Sequence, residues 1–237
     1  MGSSLSCCCG GGAAARAADA STPLVDGAAA DAAGQHTITA EQELDGAGAR
    51  ALAATLRRSP NAMALNVSGS ALDDDGAVVL ADALKHLPKL TALDAGRNSV
   101  GEKGVLALAT ALRFVPRLQS LTLSRIDYPD SPSGGGSIGA RASAALAAAL
   151  KSVPLLTALS LADNDLGDEG GKALAAALLS VPRLKVLDLS GNNICGDGVT
   201  ALAAQLRFVP LLTALDLGHS KQGDLSNFMS NAGAIAL

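Results

Sequence analysis

The chain opens with residues whose types and spacing imply a covalent modification. Met1-Gly2-Ser3-Ser4-Leu5-Ser6 fits the pattern M-G-x-x-x-[ST], in which loss of Met1 exposes the Gly2 amine to N-myristoylation. Cys7, Cys8 and Cys9 follow at once, in a chain whose one other cysteine is Cys195. A single myristoyl chain holds a protein to a membrane only marginally, so a stable anchor needs a second signal. The charges nearby, Arg16 against Asp19, Asp26 and Asp31, are not polybasic. Palmitoylation of Cys7, Cys8 and Cys9 would supply that signal. Adjacent thiols lack the spacing and partner ligands of a zinc site, so no metal is expected on them.

Other chemical motifs give way to plainer readings. Gly134-Gly135-Gly136-Ser137-Ile138-Gly139 satisfies G-x-G-x-x-G formally, but it lies in a Ser/Pro/Gly stretch too long for a tight strand-to-helix turn, so no dinucleotide is expected. Asp73-Asp74-Asp75 and Asp163-Asn164-Asp165 lack the Gly and Glu of a calcium loop. As acids ahead of helices they complement the helix dipole. His36, His86 and His219 accompany no nucleophile motif. No catalytic residue, cofactor or small-molecule substrate is therefore expected.

Spacing reveals the elements that carry these residues. Pro60, Pro88, Pro116, Pro154, Pro182 and Pro210 are separated by 28, 28, 38, 28 and 28 residues. The long interval contains an insertion, residues 127–136, with the chain's single tyrosine, Tyr128. Four residues before each proline stands a leucine (Leu56, Leu84, Leu112, Leu150, Leu178, Leu206), and eight before it another (Leu52, Leu80, Leu108, Leu146, Leu174, Leu202). Leucines four apart make one apolar helical face, and proline ends the helix. After each proline the period becomes two: Leu184, Leu187 and Leu189 precede Asn192 and Ile194, and Leu156, Leu159 and Leu161 precede Asn164 and Leu166. Each unit is thus a strand, a turn and a helix that must stack on its neighbours to bury its apolar face.

The motif L-x-x-L-x-L-x-x-N-x-L, written in full twice, resembles the leucine-rich repeat family, specifically its 28-residue ribonuclease-inhibitor type, over residues 38 to about 220. The resemblance implies an α/β solenoid that binds proteins, with parallel strands on the concave face and helices on the convex face. About six repeats and an atypical C-terminal unit are expected. The Asn column holds Ser70, Ile126 and Ser220 in three units, and the standard turn is expected to be lost at Ile126. Residues 1–37, poor in large aliphatics, read as a flexible acylated tail; residues 38–237 form the repeat domain, and a cap spans about 220–237. The C-terminal leucine columns hold Ser230 and Ala234, with Leu225, Phe228 and Met229 left to cover the last repeat.

Composition narrows the function classes. Aromatics make up 2% of the chain, so stacking platforms for single-stranded nucleic acid are missing. The net charge of -4 argues against a general polyanion binder, and nucleic acid is not an expected partner. Three consecutive cysteines and one distant one make no disulfide scaffold and fit a reducing compartment. The expectation is a non-enzymatic scaffold on the cytoplasmic face of a membrane, plasma or ciliary/flagellar, or otherwise in the cytoplasm, with a protein partner. The alternative is a GTPase-activating protein resembling the Ran GTPase-activating family, which shares this repeat type.

Two surfaces stand out in the repeat. The concave rows read Asn66, Asp94, Thr122, Ser160, Asp188, Asp216 and Gly69, Arg97, Arg125, Asp163, Gly191, His219. Asp94, Arg97, Arg125, Asp188 and Asp216 are the candidate partner contacts. Like charges at Asp188 and Asp216, on neighbouring strands, are mildly unfavourable and mark that end of the face. Ten of 18 basic residues fall at helix C-termini and 14 of 22 acids where strands lead into helices, so stacking yields a basic and an acidic edge, the basic one suited to anionic lipid.

Overall fold

The computed structural model describes residues 29–30, 36–40, 43–124 and 138–218. Gly2, Cys7, Cys8 and Cys9, most of the expected tail, Arg125, the insertion 127–136 and the unit from residue 219 onward lie outside the described residues.

Among the described residues, eight strands form one sheet in chain order. A two-residue strand β1 (Ala29–Ala30) pairs antiparallel with β2 (His36–Thr39). From there every pairing is parallel: β3 (Ala64–Asn66), β4 (Ala92–Asp94), β5 (Ser120–Thr122), β6 (Ala158–Ser160), β7 (Val186–Asp188) and β8 (Ala214–Asp216). The sheet therefore begins at Ala29, inside the stretch expected as tail. Alanine brings little to bury, but its backbone groups satisfy the open edge of β2.

Helices α1 (Gly46–Arg57), α2 (Asp74–Leu84), α3 (Glu102–Ala111), α4 (Gly139–Ala149), α5 (Gly167–Ala177) and α6 (Gly196–Gln205) return the chain between strands. Each packs on the next, as the strands do. The leucine columns meet between the two layers: Leu52, Leu80, Leu108, Leu146, Leu174 and Leu202 from the helices, Leu65, Leu93, Leu121, Leu159 and Leu187 from the strands, all buried. From α3 on, the helix tightens into a three-residue 3-10 turn (Leu112–Phe114, Leu150–Ser152, Leu178–Ser180, Leu206–Phe208) before the Val-Pro pair. Proline restricts the valine before it, and Val115 is accordingly non-helical (φ -121°, ψ 57°). The insertion leaves the ladder intact: Ser120 pairs with Ala158, 38 residues on, as Ala92 pairs with Ser120.

Polar groups inside the stack are satisfied across repeats. The Asn98 amide nitrogen donates to Ala95 and Gly96 in its own turn and to Val67 of the repeat before, while its oxygen accepts from Ser70 and Leu72. Asn164 donates back to Leu123 and Asn192 to Leu161 in the same way. Asn192 is fully buried, and its oxygen also accepts the Asn164 N–H at 3.0 Å. Helix starts are coupled too. Asp45 and Asp73 cap their own helices, but α3 and α6 are preceded by Gly101 and Cys195, which supply no side-chain cap bond. Asp74 of α2 reaches the N–H groups of Gly101 and Gly104, and Asp168 of α5 those of Cys195 and Gly198. Two obstacles exclude a side chain at these glycines: a Cβ at Gly104 would stand 2.5 Å from Val100 and 2.8 Å from the Asp74 carboxylate, and one at Gly198 2.6 Å from Ile194 and 2.8 Å from the Asp168 carboxylate.

Asn192→Ala removes the hydrogen bonds given to the Leu161, Leu189 and Ser190 carbonyls and takes away an acceptor of the Asn164 N–H, so urea unfolding should show a loss of ~3 kcal/mol. A loss under ~1 kcal/mol would contradict this account of the ladder.

Candidate protein-interaction surface

In a three-residue strand the middle side chain points one way and its two neighbours the other. With the leucines turned inward, the neighbours form two rows on the open sheet face. One is Asn66, Asp94, Thr122, Ser160, Asp188 and Asp216, paired in register from β3 to β8 as expected. The other is Ala64, Ala92, Ser120, Ala158, Val186 and Ala214, small except for Val186, which is 42% exposed. Sequence reasoning missed this second row, although the period-two pattern that fixes the leucines also fixes it. A third row lies along its margin, where the hydroxyls of Thr91, Thr157 and Thr213 donate to the carbonyls of Met63, Gln119 and Lys185 in the preceding repeat.

The structure separates the predicted site residues. Asp94, Asp188 and Asp216 stand in the first row. Arg97 is exposed three residues beyond β4, in a turn with φ +55° where its N–H donates to Ser124. Gly69, Asp163 and Gly191 share that left-handed conformation. This column is a turn and not part of the sheet; Arg125 and His219 lie outside the described residues.

The aspartates have local work. Each folds back on the N–H two residues later: Asp94 on Gly96 at 2.9 Å, Asp188 on Ser190 at 3.1 Å, Asp216 on Gly218 at 2.8 Å. Asn66 does the same with Ser68, so the turn needs an oxygen acceptor and not a charge. Asp188 is better satisfied than its neighbour. It accepts the Ser190 hydroxyl at 2.8 Å and the Ser160 hydroxyl at 2.9 Å, and Ser160 in turn accepts from Ser124 at 2.6 Å. This hydroxyl chain disperses charge from Asp188 towards the middle of the sheet, and Asp216 has no such chain described. The two carboxylates sit on strands ~4.8 Å apart.

Along the acidic edge, Lys103 donates to Asp75 at 2.6 Å and Lys172 to Glu169 at 3.0 Å. The first bond holds the Asp75 carboxyl below its ordinary range, and the second raises the Lys172 ammonium. Among the described residues, no group of three or more His, Cys, Asp or Glu side chains is placed to hold a metal ion, and no helix is long and apolar enough to cross a membrane.

A family described as Leucine Rich repeat matches residues 154–175 and 183–203. Among curated proteins there is no significant match. Among solved structures, the chain is similar to a Bacteroides fragilis protein determined by structural genomics, at 13% identity and a TM-score of 0.43, covering 85% of this chain and 61% of that one. It is similar to an internalin of Listeria monocytogenes at 16% identity and a TM-score of 0.37, covering 77% of this chain and 54% of that one. TLR13, in its ssRNA13 complex, follows at 17% identity and a TM-score of 0.36, with 83% and 29% covered. The chain thus spans less than two thirds of the length of each. The repeat match over those residues and the observed architecture together give an α/β solenoid of leucine-rich repeats.

Asp216→Asn keeps the turn, as Asn66 shows, and removes the like charge beside Asp188. Urea unfolding should place it within ~0.5 kcal/mol of the native chain, on the stabilised side. A loss above ~1 kcal/mol would show that the charge itself is structural.

Proposed function

We propose that this chain is a non-enzymatic protein-interaction module, built of repeats of the ribonuclease-inhibitor type and tethered to the cytoplasmic face of a membrane by acylation of Gly2 and of Cys7, Cys8 and Cys9. The observation that carries the interaction reading is the open sheet face. It is a row of in-register polar side chains beside a row of small ones, backed by buried leucines and asparagines. Small residues let a partner approach the sheet closely, and Val186 is the one large apolar side chain exposed in its row. Asp188 and Asp216 give the C-terminal end of the face its negative charge, so a partner with a basic patch fits it. The tether reading is supported by the coincidence of the Gly2 motif with three adjacent cysteines. Held near a membrane, the face meets partners at raised effective concentration, which compensates for the lack of large aromatic anchors.

Removing both charges while keeping the turn acceptors, Asp188→Asn with Asp216→Asn, should weaken capture of the partner from membrane extracts at least tenfold, a coupling of ~1.4 kcal/mol, while the thermal melt stays nearly unchanged. Unaltered capture would remove this end of the face from the interface. Gly2→Ala should release the protein to the soluble fraction, and Cys7→Ser, Cys8→Ser and Cys9→Ser together should leave it weakly and reversibly bound. A Gly2→Ala chain that stays on membranes would refute the acyl anchor.

A further inference from the structure

We propose that the edge of the solenoid formed by the helix C-termini docks on an anionic bilayer, with the Arg113–Phe114 and Arg207–Phe208 pairs as its contacts; this deepens the membrane-tethered reading and rests on it. The pentapeptide Leu-Arg-Phe-Val-Pro occurs twice, at 112–116 and 206–210. In both copies the 3-10 turn buries the valine and exposes the phenylalanine, Phe114 at 37% and Phe208 at 39%. In both, the guanidinium lies over the neighbouring ring, 4.7 Å from the Phe114 centroid and 4.8 Å from that of Phe208. The fold does not require an aromatic there. The same column holds Arg58, His86, Ser152 and Ser180 in the other repeats. Yet two of the chain's three phenylalanines occupy it.

The surroundings of these pairs match a charged lipid surface. Leu179, exposed between them in sequence, and Leu211, just past Pro210, add apolar area to the same edge. Arg117, Lys151, Arg183 and Lys185 are exposed beside them, and no carboxylate among the described residues lies within salt-bridge distance of these four or of Arg113 and Arg207. The acid on this edge, Asp82, is already engaged by Lys85 and Arg57, and the Lys85 hydrogen bond holds its carboxyl below the ordinary range. Helix dipoles favour bases at helix C-termini and so account for the charges. They do not account for exposed rings. A bilayer interface uses both: basic side chains meet phosphate, and apolar ones enter the headgroup boundary. The two Arg–Phe pairs are three repeats apart, at least ~14 Å at the spacing of strands, so they touch a surface at two separated points and resist rocking about either one.

The test uses the full chain made without acylation, floated with vesicles of phosphatidylcholine alone or mixed with phosphatidylserine. The native chain should bind the anionic vesicles, less so as salt rises, and leave the neutral ones. Each basic side chain near an anionic surface is worth about a fivefold factor, so Arg113→Gln with Arg207→Gln should lower partitioning about twenty-five-fold. Phe114→Ser with Phe208→Ser, which copies the residues of the intervening repeats and so spares the fold, should lower it about tenfold. Equal, negligible binding of the native chain to both vesicles overturns the docking edge without touching the acyl anchor, which the Gly2→Ala fractionation tests separately. Binding to anionic vesicles that neither pair of substitutions changes also overturns it. So does loss of partner capture by these variants with no vesicle binding, an outcome that assigns the edge to an acidic protein.

Discussion

A buried asparagine amide in one repeat is satisfied only when the repeat before it presents a carbonyl. Asn98 needs Val67, Asn164 needs Leu123 and Asn192 needs Leu161. The helix starts obey the same rule, since Asp74 and Asp168 cap the helix that follows their own. The leucines between sheet and helices likewise find partners only in adjacent repeats. Interior polar groups and apolar area are therefore completed together, and the fold grows as a stack rather than as independent units.

That constraint distributes the molecular surface. Helix starts gather on one edge with their acids and helix ends on the other with their bases, while one sheet face is left open. The open face is regular because its backbone is already fully employed in the ladder, which leaves side chains alone to differ between repeats. Structural need explains a good part of them: the row of aspartates serves turns, as Asn66 shows. What turns do not explain is the pairing of Asp188 with Asp216, the exposed Val186 in the neighbouring row, and the two exposed rings at the basic edge. These departures lie on surfaces that the stack does not use, where a side chain answers to something outside the chain.

The repeat was legible from sequence because proline, leucine and asparagine each occupy one column, and every column has one physical task. The parallel register followed from spacing, including the 38-residue step over the insertion. Other features depend on distances between repeats, which periodicity within one repeat does not encode. The carboxylates of Asp74 and Asp168 read as acids of their own helices, and their reach to the next helix became visible only in three dimensions. Arg97 counted as a concave residue by column, but its left-handed turn sets it beyond the strand. The Ala64-to-Ala214 row was overlooked because small residues carry no chemical signal of their own. The pairing of Ala29–Ala30 with β2 involves backbone alone and has no signature in side chains.

The central claim is that the open sheet face is the surface in use and that the acidic edge stays free. Carbodiimide labelling of carboxylates, read by mass spectrometry, compares the purified full chain with the chain bound to its captured partner. The account predicts that Asp188 and Asp216 lose reactivity in the complex while Asp75, Glu169 and Asp197 keep theirs. Protection of Asp75, Glu169 and Asp197 with Asp188 and Asp216 still reactive would contradict it, and would move the binding surface from the sheet to the helix starts.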